Sequence, residues 1–527
     1  MLEKTAELTA APGFNGRLQA LWSQLTETAE ARTLSVAVFL ASLIILLAWR
    51  LFTQLEIGDS AIWDYVAQAI LRGQIPYRDV VEIKGPGSAY LSALAMWLGK
   101  CVGLRDVLAV RFLQMGLASA LSVVTYLVAE LYLRRRIAAL IAVLFPLMSE
   151  HFVSWVEGGT QPKLTMIFFG LLALLMIARD RPFWAGFASM WSCLCWQPGL
   201  LFAGVALLIF SRYLTSWRDG RALKVIAGAL LPLAVVVAYF YSVRALTDFW
   251  VWTVAYNFNV YAPDGIRSVS DMLAHLWMVA LRVFKVDVIW LVLALAGLLM
   301  FGVERLRAKR QFKVALRSPD LFRDALIIAP LVYLAFCLIN FQSGPDFLSL
   351  FPFIGIFAGW LITEIARRLT SSRVAQAKPT LHQWIERLPA VALLLALMIT
   401  VTRAATYRME DWTLWYQDRL LKPATDLIGP DDKLYVHGTV EILVLTNRPN
   451  LNPYILWDHG KADYIAAKQY GGSMKAMIDE IEAASPKLVA LSRLKHIPQA
   501  AELEQWVAEH YEKLPVVGYD IYIRKPQ

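Results

Sequence analysis

The sequence predicts an α-helical polytopic membrane protein, with about 11 transmembrane helices, juxtamembrane helices and a small C-terminal extracytoplasmic α/β domain. Three observations carry this. First, 58% of the 527 residues are hydrophobic and the mean hydropathy is +0.50, too apolar for a soluble globular chain. Second, apolar windows of about 17 to 25 residues recur, the length that crosses a bilayer as a helix. Third, from Arg403 the composition shifts to short alternating strand and helix patterns.

The elements follow in order. Residues 1–33 are moderately polar and read as a cytoplasmic segment, with Phe14, Leu18, Leu21, Trp22 and Leu25 on one face of an interfacial helix. They hold no signal-peptide pattern. The first span covers 34–52. Ser88 to Cys101 is apolar but short for a crossing, and reads as a second juxtamembrane helix. Spans follow at 107–133 and 137–153, then one ending at Arg179. Residues 183–210 form two short helices broken at Gln197-Pro198-Gly199. Further spans lie at 225–243, 286–303, up to Asn340, from there to Arg367, and at 388–402. The stretch 244–285 reads as a long aromatic loop holding Trp250, Trp252, Tyr256 and Tyr261. In the tail, strands are expected at 432–440, 487–491 and 518–524, with helices at 473–484 and 500–512. The domain division is thus 1–33, a transmembrane domain 34–403 with its first outer loop at 53–106, and an α/β domain 404–527.

Charge placement orients the chain. The formal net charge is +9, and in a membrane protein such an excess marks cytoplasmic loops. It does not point to nucleic acid. Arg134-Arg135-Arg136, Arg179, Arg221, Arg305 and Arg367 all fall on one side when 88–101 is not counted as a crossing. That side is cytoplasmic by the positive-inside rule, and it places the 56–88 loop and the tail of this multi-pass protein on the extracytoplasmic face. The four cysteines lie in or beside apolar segments, so no disulfide framework is expected. The seven histidines show no metal-ligand spacing.

The densest polar stretch beside the membrane is 56–88. It carries Asp59, Asp64, Arg72, Arg78, Asp79, Glu82 and Lys84 around an amphipathic run and a Lys84-Gly85-Pro86-Gly87 turn. Asp59 is a candidate general base and equally suits a helix N-cap. Lys84 in a Gly/Pro turn suits a phosphate, or a snorkelling role at the interface. Glu157, Gln161 and Lys163 form a second polar cluster, which also reads as a solvated loop. Gln197-Pro198 interrupts a span, and irregular backbone at that depth lines a cavity or is buried in protein. Tyr77, Arg78, Arg267 and Asp346 read by default as surface groups. No P-loop, dinucleotide fingerprint or zincin helix occurs.

Gly58-Asp59 after the first span, Ile75-Pro76-Tyr77-Arg78-Asp79 and Glu82-Ile83-Lys84-Gly85-Pro86-Gly87 resemble the first outer loop of GT-C glycosyltransferases. The likeness is to the protein-mannosyltransferase-like and aminoarabinose-transferase-like branch. Gln161-Pro162, Gln197-Pro198 and Gly344-Pro345-Asp346-Phe347 are similar to that branch too. The resemblance implies transfer of a sugar, hexosyl or pentosyl, from a polyprenyl-phosphate donor to an extracytoplasmic glycan, lipid or protein, with inversion. It implies Asp59 as the catalytic carboxylate and Lys84 as the donor-phosphate ligand, with Tyr77, Arg78, Glu82, Gln161, Gln197 and Asp346 binding substrate. Ser60 stands where a second acid is common, so a divalent metal is left open and no metal ligands are assigned. Lys163 stands where an acid is frequent, which leaves Glu157 as the substitute second catalytic acid. A transporter or flippase of lipid-linked saccharides is the rival. It would place ionisable groups near the midplane and show inverted repeats, whereas the charges here sit at the rim.

Overall fold

The computed structural model describes residues 14–211, 220–261, 268–312, 322–372, 379–409, 412–457, 460–469, 474–492, 494 and 500–526. Arg212, Arg218, Arg267, Lys313, Arg317, Arg373 and Lys378 lie outside them.

The first helix, α1 (Phe14–Trp49), runs unbroken for 36 residues, so the expected interfacial helix and first span are one element. α2 (Gly58–Leu71) and α3 (Gly87–Cys101) are the two short helices that follow in the first loop. α4 (Asp106–Leu133) spans. α5 (Arg136–Met148) and α6 (Glu150–Glu157) make one apolar passage bent by 69°, where the Ser149 hydroxyl accepts from Phe152 N and starts a new helix. α7 (Pro162–Ala178) and α8 (Pro182–Cys195) follow, then the Gln197–Gly199 break and α9 (Leu200–Ser211). Among the described residues five helices are long and apolar enough to cross a membrane, or six if the bent pair is one passage. Of the other expected crossings, α7 is a shorter apolar helix.

The stretch 244–285 is not a loop. After α10 (Arg221–Ser242) comes α11 (Leu246–Trp250), then π-helical turns at Val251–Ala255 and Asn257–Tyr261, then α12 (Val269–Phe284). Its aromatic residues divide: Trp252 and Tyr256 are buried in one cluster with Tyr77 and Ile83, while Trp250 and Phe258 are exposed.

The remaining passages are α13 (Val288–Phe312), α14 (Arg323–Cys337), α15 (Phe351–Thr370) and α16 (Pro379–Thr406). The arginine-bearing helix ends meet in space. Glu364 receives Arg135 at 2.5 Å, Arg367 at 2.5 Å and Arg368 at 2.7 Å, and Arg305 reaches Asp324. These ends share one side of the bundle, as the charge pattern predicts.

The C-terminal region holds a four-stranded sheet in the order β1-β2-β4-β3: β1 (Leu434–His437), β2 (Leu488–Leu491), β3 (Tyr511–Lys513) and β4 (Ile521–Arg524). β1 and β2 are parallel, and the other two pairings are antiparallel. β3 was not expected from sequence, because at three residues it carries no alternation to read. This region grips the first loop directly. The Gln417 side-chain amide exchanges two hydrogen bonds of 2.8 Å with the backbone of Glu56, Asn450 N donates to the Tyr65 hydroxyl, and Val81 N donates to Pro453 O.

One buried arginine sets the turn between α1 and α2. Arg111 of α4 donates to the carbonyl oxygens of Phe52, Gln54 and Leu55 and to Glu56 Oε2 at 2.8 Å. Both ends of the Arg111–Glu56 pair are fully enclosed. Removing one partner of such a pair strands a buried charge, which costs about 3–5 kcal/mol. Arg111→Met should therefore lower the thermal unfolding midpoint markedly in detergent, and an unchanged midpoint would refute this role.

Candidate active site

The Lys84 turn is the best-supported feature of the first loop. The backbone of Ile83 and Lys84 is held by side chains on all four polar atoms. Glu82 Oε1 accepts from Ile83 N at 2.8 Å and Lys84 N at 2.9 Å. Ile83 O accepts from Gln197 Nε2 at 2.7 Å and Asn257 Nδ2 at 2.9 Å. Lys84 O accepts from the Tyr77 hydroxyl at 2.7 Å. Tyr77 and Glu82 are buried, so the surface reading of Tyr77 fails. The Tyr77 hydroxyl, Glu82 Oε1 and Gln197 Nε2 help to position Lys84, and Gln197 also lines the cavity.

Gly85 shows why this turn needs glycine. A Cβ there would lie 2.1 Å from Leu194 O, at the end of α8. Backbone against backbone cannot give way as a flexible side chain could. Gly85→Ala should push the turn off the α8–α9 break and lower the thermal unfolding midpoint in detergent. An unchanged midpoint would refute this packing.

Lys84 projects into a cavity of about 310 Å³. Its ammonium lies 4.9 Å from the Tyr261 ring centre and 5.7 Å from that of Trp196, distances at which a cation is attracted to the ring face. The walls come from three places: the α8–α9 break (Trp196, Gln197, Pro198), the π-helical stretch (Thr253, Asn257, Phe258, Tyr261) and the segment after α14 (Asn340, Gln342, Asp346). Thr253, Asn257 and Tyr261 recur every four residues, so the widened helix turns one face to the cavity. π-helical turns often mark functional sites.

Asp346 is a buried cavity-wall residue, not a surface group. Its Oδ1 is 2.6 Å from Lys163 Nζ, and its Oδ2 accepts from Gln342 N and Ser343 N. Lys163 Nζ also stands 4.8 Å from the Trp196 ring centre. Gln342 donates to the Tyr261 hydroxyl. Burial pushes the Tyr261 phenol up from its ordinary range, and the charges of Lys163, Asp346 and Asp59 all bear on it.

Asp59 is exposed in the first turn of α2, whose N-cap is Ile57 without a side-chain cap bond. The capping alternative therefore fails: helix α2 begins one residue before Asp59. Asp59 is not in the cavity wall itself. Its charge adds to the upward push on the wall residue Tyr261.

The other expected residues lie elsewhere. Arg78 is exposed and faces away from the cavity, held by Asp79 at 2.8 Å and by Val243 O. Gln161 caps α7, accepting from Lys163 N. The 157–161 loop does approach α2: a Cβ on Gly159 would lie 2.8 Å from Asp64 Oδ2, and Asp64 Oδ1 accepts from Thr160 N and the Thr160 hydroxyl. Burial pushes the Asp64 carboxyl up to about 6 despite these bonds. Glu157, however, points away from the cavity. Both its oxygens are enclosed near the backbone of Leu51 and Phe52, so substrate cannot reach it.

Sequence reasoning missed Trp196 and Asn257, named Tyr261 only as one aromatic of the 244–285 stretch, and gave Lys163 no site role. The four-residue spacing of Thr253, Asn257 and Tyr261 was the signal available. A divalent cation does not fit the groups present. Asp346 is closed by the Lys163 ammonium, Ser60 offers no charge, and among the described residues no group of three or more acidic, His or Cys side chains is placed for a metal.

No family model matches the sequence, and no curated protein matches it. Solved structures do. The crystal structure of ArnT from Cupriavidus metallidurans bound to undecaprenyl phosphate aligns with TM-score 0.60 at 13% identity, over 94% of this chain and 99% of that one. The apo state of the same protein aligns with TM-score 0.59 at 14% identity, over 94% and 100%. The oligosaccharyltransferase of Archaeoglobus fulgidus in the apo form aligns with TM-score 0.52 at 13% identity, over 93% and 74%. With the Lys84 turn packed on a broken helix, and with these alignments running almost end to end, the chain has the GT-C glycosyltransferase fold.

Proposed function

We propose that this protein is a membrane glycosyltransferase that moves a sugar from a polyprenyl-phosphate donor to an acceptor on the extracytoplasmic side. The observation that carries the reading is the rigidly held Lys84 ammonium, set between Trp196 and Tyr261 in its cavity. The lipid-phosphate ligand of the similar ArnT structure supports it. The cytoplasmic assignment of the arginine side follows from the positive-inside rule and places the cavity on the extracytoplasmic face of an inner membrane. Residues 34–403 then form the catalytic domain, and 404–527 help to bind the acceptor.

The chemistry is a single displacement with inversion. Asp59 takes the proton of the acceptor hydroxyl or amine as that atom bonds to the anomeric carbon. The bond from the anomeric carbon to the phosphate oxygen breaks, and its electron pair leaves with the polyprenyl phosphate. Lys84 meets the charge that gathers there, the type of electrostatic term that usually contributes most. Asp59 afterwards releases its proton to water.

The test is to incubate purified protein with a panel of hexosyl and pentosyl polyprenyl phosphates and candidate acceptors. Release of polyprenyl phosphate with glycosylated acceptor is expected for at least one pair. Movement of labelled lipid across vesicles without any chemical change would replace this reading with the flippase one.

A further inference from the structure

Lys163 is a lysine packed behind the cavity, paired with the wall residue Asp346, with its side chain about one-tenth exposed. A buried ion pair is weak support for stability, because desolvation offsets the attraction. The placement therefore calls for another account. The Lys163 and Lys84 ammonium groups come from separate elements, yet both stand within 6 Å of the Trp196 ring centre. An ammonium has three donors, and Asp346 takes one. Lys163 also sits in the first turn of α7, where the helix dipole favours an anion.

We propose that Lys163 is a second phosphate-binding residue, held by Asp346, that matches the extra negative charge appearing on the leaving lipid phosphate. This rests on the donor reading of the Lys84 cavity. A sugar-linked lipid phosphate is a diester with one negative charge. Once the anomeric carbon–oxygen bond breaks, it is a monoester that carries close to two at neutral pH. One ammonium matches the diester, and the second gains value only as the bond breaks. Such a group stabilises the transition state and product over the ground state. It acts where Asp346 by itself would repel a phosphate.

The experiment titrates protein in nanodiscs, near pH 8, with two probes: undecaprenyl phosphate and its methyl diester. The unmodified protein should prefer the monoester. Lys163→Ala should lose about tenfold or more on the monoester and little on the diester, while Lys163→Arg keeps most of the preference. Lys84→Ala should weaken both probes. If stranding Asp346 impairs folding, the double variant Lys163→Ala/Asp346→Ala removes the whole pair and should show the same selective loss. Recovery of the preference in that double variant would show Lys163 to be only a neutraliser of Asp346, and would overturn the proposal. So would Lys163→Ala binding both probes as the unmodified protein does, or losing both equally. Neither outcome touches the donor reading if Lys84→Ala still weakens both. If Lys84→Ala binds both normally, the donor reading falls, and this inference with it.

Discussion

Lys84→Ala should lower transfer from a polyprenyl-phosphate sugar by about 10²–10³-fold, the loss typical when a preorganised electrostatic group is removed from a developing charge. The fold should hold. The turn is fixed through main-chain atoms, by Glu82, Gln197, Asn257 and Tyr77, and none of those bonds uses the Lys84 side chain. A change in stability within about 1 kcal/mol is expected for a half-buried group outside the core. Lys84→Arg should recover only part of the activity, because a planar fork does not match a point charge seated between two rings. Initial rates with purified donor, beside a melting curve for each variant, check both halves. Activity within threefold of the unmodified protein would remove Lys84 from the mechanism.

Asp59→Asn should cost about 10²–10⁴-fold in turnover, the range that general-base catalysis supplies. The substitution keeps shape and removes only the charge and the proton acceptor. Asp59 is exposed and makes no capping bond. Its contribution to helix α2 is then limited to the dipole, about 0.3–1 kcal/mol. The fall should appear in kcat with little change in donor affinity, since Lys84 and the aromatic walls are untouched. Unaltered turnover would show that the acceptor is deprotonated by some other group. Glu157→Gln is the matched control. Its carboxylate is enclosed near Leu51 and Phe52 and away from the cavity, so any loss there should follow stability instead of the chemical step.

Much of this site was legible before any coordinates. The Lys84-Gly85-Pro86-Gly87 turn and the Gln197-Pro198-Gly199 break are both local signals of irregular backbone, and the structure packs one directly on the other. The arginine clusters predicted a common side, and Glu364 ties three of those arginines together. The roles were less legible. Tyr77, Glu82 and Gln197 were expected to meet substrate because they are polar and near Lys84. The Tyr77 hydroxyl, Glu82 Oε1 and Gln197 Nε2 also satisfy backbone groups that would otherwise be buried without partners. Stretch 244–285 was taken for a loop because aromatic and β-branched residues blur the helical period, and π-helical turns shift it further.

The sequence by itself determined the apolar segments, their orientation by charge, the tail of mixed strands and helices, and the one turn on which a lysine could be displayed. These follow from local free energies: transfer to lipid, helix period, and the backbone freedom of glycine and proline. Only the tertiary structure decided that Lys163 faces Asp346, that Tyr261 roofs Lys84, and that Glu157 is sealed away while Asp59 stands open. Those partners are far apart in the chain, and no periodicity records them. They meet because helices packing around a common core bring together whichever polar groups the crossing leaves opposite one another, and a buried charge must then find its counter-ion there.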